Sequence, residues 1–365
     1  MIRVLTKKVA DWYGRYERPV SSLSLVAGFL FDILTLRRVD SFLENFWVLG
    51  HIIIVAVCMI LLHVFESDSG DEANSDKIHF WLVNTIQFFF GGLLSVFLVF
   101  YFRSGDLAVS WPFILMLAIV FWANESLKRQ YVRLTFQISL LFLSIFSTTI
   151  YLLPVFLHKI NDLVFLLSGF VSLVSIFLFT YVMYLIDKKK FHASKRGIIF
   201  SVIGTFLIFN VFYFTNLIPP LPLSLKDSGP YHLIQKNEDN TYTGFYEKTN
   251  WQRFFRTYDD ISIQNGQPVY AYSAVFSPTL FNFTIVHEWQ YYDENLKTWI
   301  TSGKINLPVV GGREGGFRTY SVKSGLTSGR WRVNVETING KLIGRLRFTV
   351  HIASDLAPLQ TRILD

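Results

Sequence analysis

The chain has 365 residues, of which 51% are apolar, 17% aromatic and 17% charged, and its mean hydropathy is +0.36. These values lie outside the range of ordinary soluble proteins and indicate a membrane protein. The formal charge of +7 requires no nucleic-acid partner, because many basic residues lie between apolar stretches, where membrane proteins concentrate them. The single cysteine, Cys58, excludes an intrachain disulfide and a Cys-based metal site.

The N-terminal part of the chain is a series of apolar stretches that ends near Leu223. A hydrocarbon core of about 30 Å takes about 20 helical residues, with about 17 as the lower limit. Asp11 and Arg15 interrupt the region where a cleaved signal peptide would be apolar. We therefore predict a cytoplasmic segment at 1–19 and a transmembrane domain at 20–218, with seven helices at 20–36, 46–65, 80–102, 107–123, 134–157, 163–186 and 198–218.

The distribution of Lys and Arg predicts the orientation of these helices, because cytoplasmic loops carry the excess of basic residues. With a cytoplasmic N-terminus, four basic residues fall in the short outer loops: Arg37, Arg38, Arg103 and Lys159. Fourteen fall on the inner side: Arg3, Lys7, Lys8, Arg15, Arg18, Lys77, Lys128, Arg129, Arg133, Lys188, Lys189, Lys190, Lys195 and Arg196. Seven crossings of a bacterial inner membrane then place the C-terminal part in the periplasm.

The C-terminal part has a composition typical of β-structure. A proline-containing linker at 219–230 precedes a predicted sandwich-like all-β domain at 231–352 and a tail at 353–365. Strands are predicted at 267–276, 281–292, 331–336 and 342–352, where β-branched and aromatic residues alternate with polar ones. Asn339-Gly340 predicts a type I′ hairpin between the last two strands.

Charged residues within or beside the predicted helices form the first candidate site. Asp32 and His51 are expected at similar depth in the outer half of the membrane, and other charges belong to the same side. Such a cluster at the junction of the helices and the β-domain would handle protons or ions, or bind a lipid headgroup or envelope substrate. Alternatively, it is a paired network that fixes helix packing. The cluster comprises Asp32, Arg37, Arg38, Asp40, His51, Arg103 and Asp106.

The polar residues elsewhere in the helices have a structural interpretation. Asn84, Gln87 and Asn124 carry amides, which commonly bond neighbouring helices in membranes. Ser168 and Ser172, with the small Gly169 between them, favour close helix packing.

The β-domain offers a second candidate surface, made of His287, Trp289, Trp299 and Arg318. The sequence from His287 begins like a zinc-protease helix, but Tyr291 stands where the second histidine is required, so we expect no metal site there and no cofactor. On a strand, His287 and Trp289 share one face, which favours a half-buried aromatic face over a ligand site. Trp331 is likewise expected in the core, because Val333 and Val335 lie on its face.

Several short motifs resemble a known bacterial family. They are His287-x-Trp289, Arg318-x-x-Ser321-x-Lys323, Gly329-x-Trp331-x-Val333, Gly340 and Phe348-x-Val350, with Gly28-Phe29-Leu30-Phe31-Asp32 and Pro219-Pro220-Leu221-Pro222-Leu223-Ser224-Leu225-Lys226 in the N-terminal part and linker. The chain is similar at these positions to membrane-bound proteins with a C-terminal domain of unknown function, DUF2914. The resemblance implies an envelope protein and carries over no catalytic residue.

Two functions follow as hypotheses. The first is a non-enzymatic inner-membrane protein that binds membrane lipid through its helices and presents its β-domain to an envelope protein, peptide or glycan. The second is a transporter or enzyme that acts on a lipid-linked or envelope substrate through the outer polar cluster. A water-accessible cavity lined by that cluster would favour the second hypothesis. Ion pairs buried away from water would favour the first hypothesis.

Overall fold

A computed structural model describes residues 26–36, 41–68, 72–104, 106–238, 241–247, 258–278, 282–311, 313, 315–354 and 358–364. The chain divides into two compact units. The helical unit comprises the described residues within 1–102, 111–157 and 162–217. The β unit comprises the described residues within 218–365 together with those of two short segments, 103–110 and 158–161.

Seven α-helices and a short 3-10 helix lie within the described residues. Six of the α-helices are long and apolar enough to cross a membrane, which indicates a multi-pass membrane protein, and the seventh, Val26–Thr35, is shorter. In chain order they are α1 Val26–Thr35, α2 Phe42–Asp68, α3 Glu72–Ser104, α4 Leu107–Ser126, the 3-10 helix Lys128–Val132, α5 Leu134–Leu157, α6 Asp162–Ile186 and α7 Lys188–Phe214. The predicted helical N-terminal architecture is confirmed.

The largest difference from the predicted bounds lies at the start of α7, which begins ten residues before the apolar stretch 198–218. The Asp187 side chain accepts a hydrogen bond from the Lys190 N–H at 2.8 Å, which satisfies a helix N-terminal donor. Polar residues therefore form the first turns of this helix. It ends near Asn216, whose positive φ of 60° is typical of a helix C-terminus.

Helices α5 and α6 pack closely through small residues. The Ser168 and Ser172 side chains are buried, and the Thr149 hydroxyl lies 2.7 Å from the Ser172 hydroxyl. A Cβ at Gly169 would lie 2.9 Å from the Phe206 ring of α7, so a larger residue here would force the ring or the helix to shift. Between α3 and α4, the Gln87 and Asn124 amides each donate to the other's backbone carbonyl. These contacts agree with the packing interpretation of the small and amide residues.

The β unit contains eleven strands within the described residues. They are β1 Ser224–Tyr231, β2 Leu233–Lys236, β3 Tyr242–Glu247, β4 Asp259–Ile263, β5 Val269–Phe276, β6 Asn282–Asp293, β7 Thr298–Val310, β8 Phe317–Lys323, β9 Gly329–Thr337, β10 Leu342–Ile352 and β11 Leu359–Leu364. They form three sheets in the orders β1-β5-β8, β4-β10-β9-β6-β7 and β11-β3-β2. Most of β1 thus lies in the segment predicted as a linker, 219–230, and β11 lies in the segment predicted as a tail, 353–365.

One hydrophobic core joins the three-stranded sheet β1-β5-β8 to the five-stranded sheet. Val269 and Val275 enter it from β5, while Trp289, Val333 and Phe348 enter it from the five-stranded sheet. Packing of two sheets across a shared core is the sandwich arrangement, so the predicted fold class is confirmed. The residues expected in this core include Trp331, which is 3% exposed.

The hairpin between β9 and β10 is present, but the predicted turn type is wrong. Gly340 has φ of 75°, whereas Asn339 is not among the residues with positive φ, as a type I′ turn requires. The Gly340 N–H donates to the Thr337 carbonyl and the Thr337 N–H to the Lys341 carbonyl. The loop is therefore a three-residue connection with a left-handed glycine, which sequence distinguishes poorly from a two-residue turn.

Candidate functional site

The outer face of the five-stranded sheet carries a connected set of polar side chains. Side chains alternate along a strand, so Trp289 and Val333 point into the core while their neighbours Glu288 and Asn334 lie on the opposite face. We call this surface the polar face. Its members are Glu288, Gln290, Trp299, Thr301, Lys304, Arg332, Asn334, Glu336 and Arg345.

Asn334 connects the three central strands of the polar face. Its amide nitrogen donates to Glu288 Oε2 on β6 at 3.1 Å, and its amide oxygen accepts from Arg345 Nε on β10 at 2.6 Å. Arg332 Nε donates to Gln290 Oε1 at 2.6 Å, and Thr301 donates to Glu288 Oε1 at 3.0 Å. Each side chain is therefore held by a neighbouring strand, so the surface is ordered before any partner binds.

Two carboxyl groups on the polar face differ in their affinity for protons. Burial opposes ionisation of Glu288, but hydrogen bonds from Lys304, Asn334 and Thr301 outweigh it and hold the pKa of Glu288 below its ordinary value. Burial, with repulsion from Glu288, raises the pKa of Glu336 to about 7. Near neutral pH the face thus presents one ionised carboxylate beside a carboxyl group that is partly protonated.

Aromatic rings and guanidinium groups stack along one side of the sheet. The Arg332 Cζ atom lies 4.2 Å from the centroid of the Trp299 ring, and the Arg330 Cζ atom lies 4.0 Å from the Tyr292 ring. The Trp299 and Tyr292 rings are 5.2 Å apart. Tyrosine, tryptophan and arginine are the side chains that most often supply binding energy at protein interfaces.

The four β-domain residues singled out from the sequence do not form one surface. His287 and Trp289 are fully buried, which corrects their placement on a binding surface. Arg318 is partly buried on β8, in the other sheet of the sandwich, and only Trp299 belongs to the polar face. The alternation of β6 identified the shared face of His287 and Trp289, but not which sheet face met the core.

The buried His287 is held by hydroxyl groups. Its Nε2 lies 2.8 Å from the Ser273 hydroxyl, its Nδ1 lies 2.8 Å from the Ser321 hydroxyl, and Trp289 Nε1 donates to Ser321 at 2.9 Å. Burial lowers the pKa of His287 to about 4, so the ring is neutral. With both ring nitrogens bonded inside the core, this serine-histidine group stabilises the sandwich and is closed to a substrate.

The outer polar cluster predicted from the sequence is only partly described. Ser95 donates to Asp32 Oδ2 at 2.5 Å, and Asp32 is close enough to His51 to interact electrostatically. His51 Nδ1 donates to the Trp47 carbonyl at 2.8 Å. Arg37, Arg38 and Asp40 lie outside the described residues.

Arg103 and Asp106 belong to the β unit. They line a pocket of about 170 Å³ together with Ser104, Leu225, Ile343, Gly344, Arg345 and Arg347. The structure therefore places the described cluster residues in two groups, one in each unit.

A second polar network in the helical unit was missed by the sequence reasoning. Lys190 Nζ contacts Glu66 Oε2 at 2.5 Å and His63 Nδ1 at 3.2 Å, and His79 Nε2 contacts Glu66 Oε1 at 3.1 Å. We call these four residues the His63 network. The spacing of His63 and Glu66, three residues apart on one helix, was a usable signal, but their partner Lys190 lies more than 120 positions away.

The His63 network continues through uncharged groups. His63 Nε2 contacts Gln137 Oε1 at 3.0 Å, Gln137 donates to the Tyr131 carbonyl, and the Tyr131 hydroxyl donates to Asn124. No group of three or more His, Cys, Asp or Glu side chains suited to a metal ion occurs among the residues that the structure describes.

The comparisons with known proteins give a family match for the β unit. The family described as "Protein of unknown function (DUF2914)" matches residues 282–350, which contain most of the five-stranded sheet. No curated protein matches the chain.

Two solved structures show only slight similarity. A β-glucosidase from Listeria innocua in complex with gluconolactone has a TM-score of 0.18 and 7% identity over 31% of this chain, which spans 17% of that protein. The alkylpurine DNA glycosylase AlkC from Pseudomonas fluorescens, bound to DNA containing an abasic site analogue, has a TM-score of 0.22 and 9% identity over 86% of this chain and 99% of that one. Values this low carry no argument about function.

Proposed function

We propose that this chain is a non-enzymatic inner-membrane protein that displays its β unit in the periplasm and binds an envelope protein, peptide or glycan there. The observation that carries the proposal is the polar face, with its interstrand hydrogen bonds and stacked arginine and aromatic side chains. Planar aromatic rings beside fixed donors and acceptors suit peptide or glycan recognition.

The order of the polar face supports a binding role. A flexible surface must lose side-chain freedom on binding, at about 0.5–1.5 kcal/mol for each immobilised side chain. Arg332 and Arg345, which are partly exposed, are already fixed by hydrogen bonds to neighbouring strands, and the acceptor for Arg345 is the buried Asn334. A partner that contacts either arginine therefore avoids most of that cost.

The proposed orientation is supported by the fourteen basic residues expected inside against four outside. It requires α1, with the residues before it, to complete a seventh crossing. Alkaline phosphatase fused at the C-terminus should be active and a fluorescent protein fused there should be dark. The opposite pair of results would place the β unit in the cytoplasm.

A photoreactive amino acid at Thr301 tests the binding surface in the full chain. Thr301 is exposed beside Glu288 on the polar face, whereas Ile363, 61% exposed on β11, provides a matched control position. Illumination of cells should give a discrete protein, peptide or glycan adduct from position 301 alone, and Arg332→Ala should remove it. Equal adducts from both positions, or an adduct indifferent to Arg332→Ala, would contradict the proposal.

A second candidate function is transport or catalysis in the membrane, which the contacts of Asp32 favour. Its hydrogen bond to Ser95 and its proximity to His51 place an acid beside a titratable base in the helical unit. Under this function, Asp32→Asn abolishes activity in cells while the protein is made and folded normally. Loss of folding would instead assign Asp32 a packing role. Ser95→Ala is the control variant, because it removes the hydrogen bond to Asp32 but keeps the Asp32 carboxyl group.

A further inference from the structure

The pocket that contains Arg103 has an unusual charge balance. Three guanidinium groups, from Arg103, Arg345 and Arg347, and one carboxylate, from Asp106, line it. All of its lining residues belong to the β unit, so the pocket lies within one compact body. Its volume of about 170 Å³ is roughly ten times the smallest cavity that holds a water molecule, which leaves room for a tetrahedral anion.

The arginine side chains are gathered by a specific backbone irregularity. The pairing of β10 with β9 shifts between Leu342 and Gly344, so Ile343 is an extra residue. Such a bulge re-aims the side chains that follow it. Arg345 and Arg347 then lie on one face of β10, two residues apart.

The cationic side chains in and beside the pocket are partly removed from water, and one of them contacts the pocket's carboxylate. Arg347 Nη2 lies 3.6 Å from Asp106 Oδ2, a long contact for an ion pair. Burial lowers the pKa of Arg345, and the attraction to Asp106, which opposes this shift, is larger than the repulsion from Arg347. Burial and the nearby Arg103 likewise lower the pKa of Lys226. A bound anion would stabilise the charged forms of these partly desolvated cations.

The position of Arg103 in the chain suggests the source of the anion. Arg103 and Ser104 end the apolar span Ile78–Ser104, and Asp106 shortly precedes the span Val109–Ser126. Residues at the end of a membrane span lie at the level of the lipid headgroups, whose phosphates interact with basic side chains. Guanidinium groups bind phosphate oxygens with paired hydrogen bonds.

We propose that Arg103, Arg345 and Arg347 form a binding site for a phosphate group, with the phosphate of an anionic lipid as its expected source. This site shares Arg345 with the polar face, whereas Arg103 and Arg347 do not belong to that surface. Asp106 acts within it as a built-in competitor, since its carboxylate contacts Arg347 where a phosphate oxygen would bind.

The test uses the full chain in an uncharged detergent with inorganic phosphate as the first probe. Arg345→Gln should weaken phosphate binding roughly tenfold, the value of one charge-assisted hydrogen bond. Arg330→Gln, which removes an exposed arginine of the same sheet that pairs with Glu294, should leave binding unchanged. Asp106→Asn should tighten binding, whereas a purely structural ion pair predicts only a loss of stability.

Phosphatidic acid is the second probe and distinguishes the sources of phosphate. Native mass spectrometry of protein taken from vesicles of phosphatidylcholine with phosphatidic acid should show retained phosphatidic acid that inorganic phosphate displaces. Phosphate binding without lipid retention would support the same site with a soluble phosphate ligand. Binding of neither probe, or binding equal in Arg345→Gln and Arg330→Gln proteins whose thermal unfolding is normal, overturns the proposal.

Discussion

The two units of this chain expose different kinds of side chains. The helical unit buries the His63 imidazole and exposes large apolar residues such as Phe200, which is 82% exposed. The β unit buries Trp289 and Phe348 and carries its charges on the polar face. The difference shows that each unit is arranged for its own solvent, lipid for one and water for the other.

Two of the buried histidines, one in each unit, have different neighbours. His287 in the β unit contacts only serine hydroxyls, and its burial keeps it neutral. His63 in the helical unit contacts the carboxylate of Glu66 and the ammonium group of Lys190. Of the two, His63 is therefore the one that has charged side chains as neighbours.

The largest expected effect separates the two tryptophans of the β unit that were candidates from the sequence. Trp289→Ala should destabilise the β unit by about 4 kcal/mol, because it leaves a cavity in the sandwich core. Trp299→Ala should cost about 1 kcal/mol, chiefly the contact with Arg332. Hydrogen exchange of β6 and β9 amides in the full chain measures both, and equal losses would contradict the assignment of Trp289 to the core.

The second-largest expected effect is a loss of stability on removal of a charge from the His63 network of the helical unit. Lys190→Met leaves Glu66 without its closest cation and should lower the free energy of unfolding by about 2–3 kcal/mol. Lys189→Met is the matched control on the exposed side of the same helix. Thermal unfolding in detergent measures the difference, and Glu66→Gln combined with Lys190→Met should recover part of the loss. Equal behaviour of the two lysine variants would show that the network contributes little.

Gly344 offers a smaller test, confined to the β unit. A Cβ at this position would lie 2.9 Å from the Leu225 Cβ, so Gly344→Ala should cost about 2 kcal/mol through a shift of β1 against β10. Gly303→Ala meets only the Lys323 ammonium at 3.5 Å and should be nearly neutral. Hydrogen exchange of β1 and β10 reports the shift. A neutral Gly344→Ala would mean that Leu225 moves without cost.

The smallest expected net effect is in the wild-type β unit, where two opposing pH dependences nearly cancel. The folded-state pKa of His287, about 4, is below its ordinary value of 6.5, so stability is lost as the pH falls from about 6.5 to 4. The folded-state pKa of Glu336, about 7, is above its ordinary value of 4.5, so stability is gained as the pH falls from about 7 to 4.5. Each contributes at most about 1.4 kcal/mol per pH unit.

Glu336→Gln removes the stability gained at low pH, so the loss of stability caused by protonation of His287 should become measurable as the pH falls. The wild-type β unit should change little between about pH 6.5 and 4.5, whereas the variant becomes steadily less stable as the pH falls. Urea unfolding read by proteolysis of the β unit in the full chain gives the slopes. Glu294→Gln, at a residue exposed to solvent, should follow the wild type, and a flat Glu336→Gln profile would contradict this explanation.

Much of the architecture could be predicted because it depends on local patterns. The apolar stretches located the helices, and the bounds predicted for β10 match the observed strand, Leu342–Ile352. The bounds of α7 were missed at its start, because an N-cap at Asp187 extends the helix into a lysine-rich segment. Whether a polar residue continues a helix depends on caps and solvent, which hydropathy does not report.

The candidate sites were harder to predict because their partners are distant in sequence. Asn334 and Arg345 form part of the polar face only because β9 pairs with both β6 and β10. His63 finds its partners 74 and 127 positions away, at Gln137 and Lys190. Period-two alternation showed that His287 and Trp289 share a face, but only the packing of the two sheets decides that this face is buried.

The parallel pairing of β4 with β10 has a consequence for the order of folding. Asp259 pairs with Phe348, so this edge of the five-stranded sheet joins residues 89 positions apart. Such distant pairings form slowly, because a long loop must close before the contacts are gained. During synthesis, β4 must therefore wait without its partner strand in this sheet until β10 is available. A chaperone that shields strand edges would be of most use to this protein in that interval.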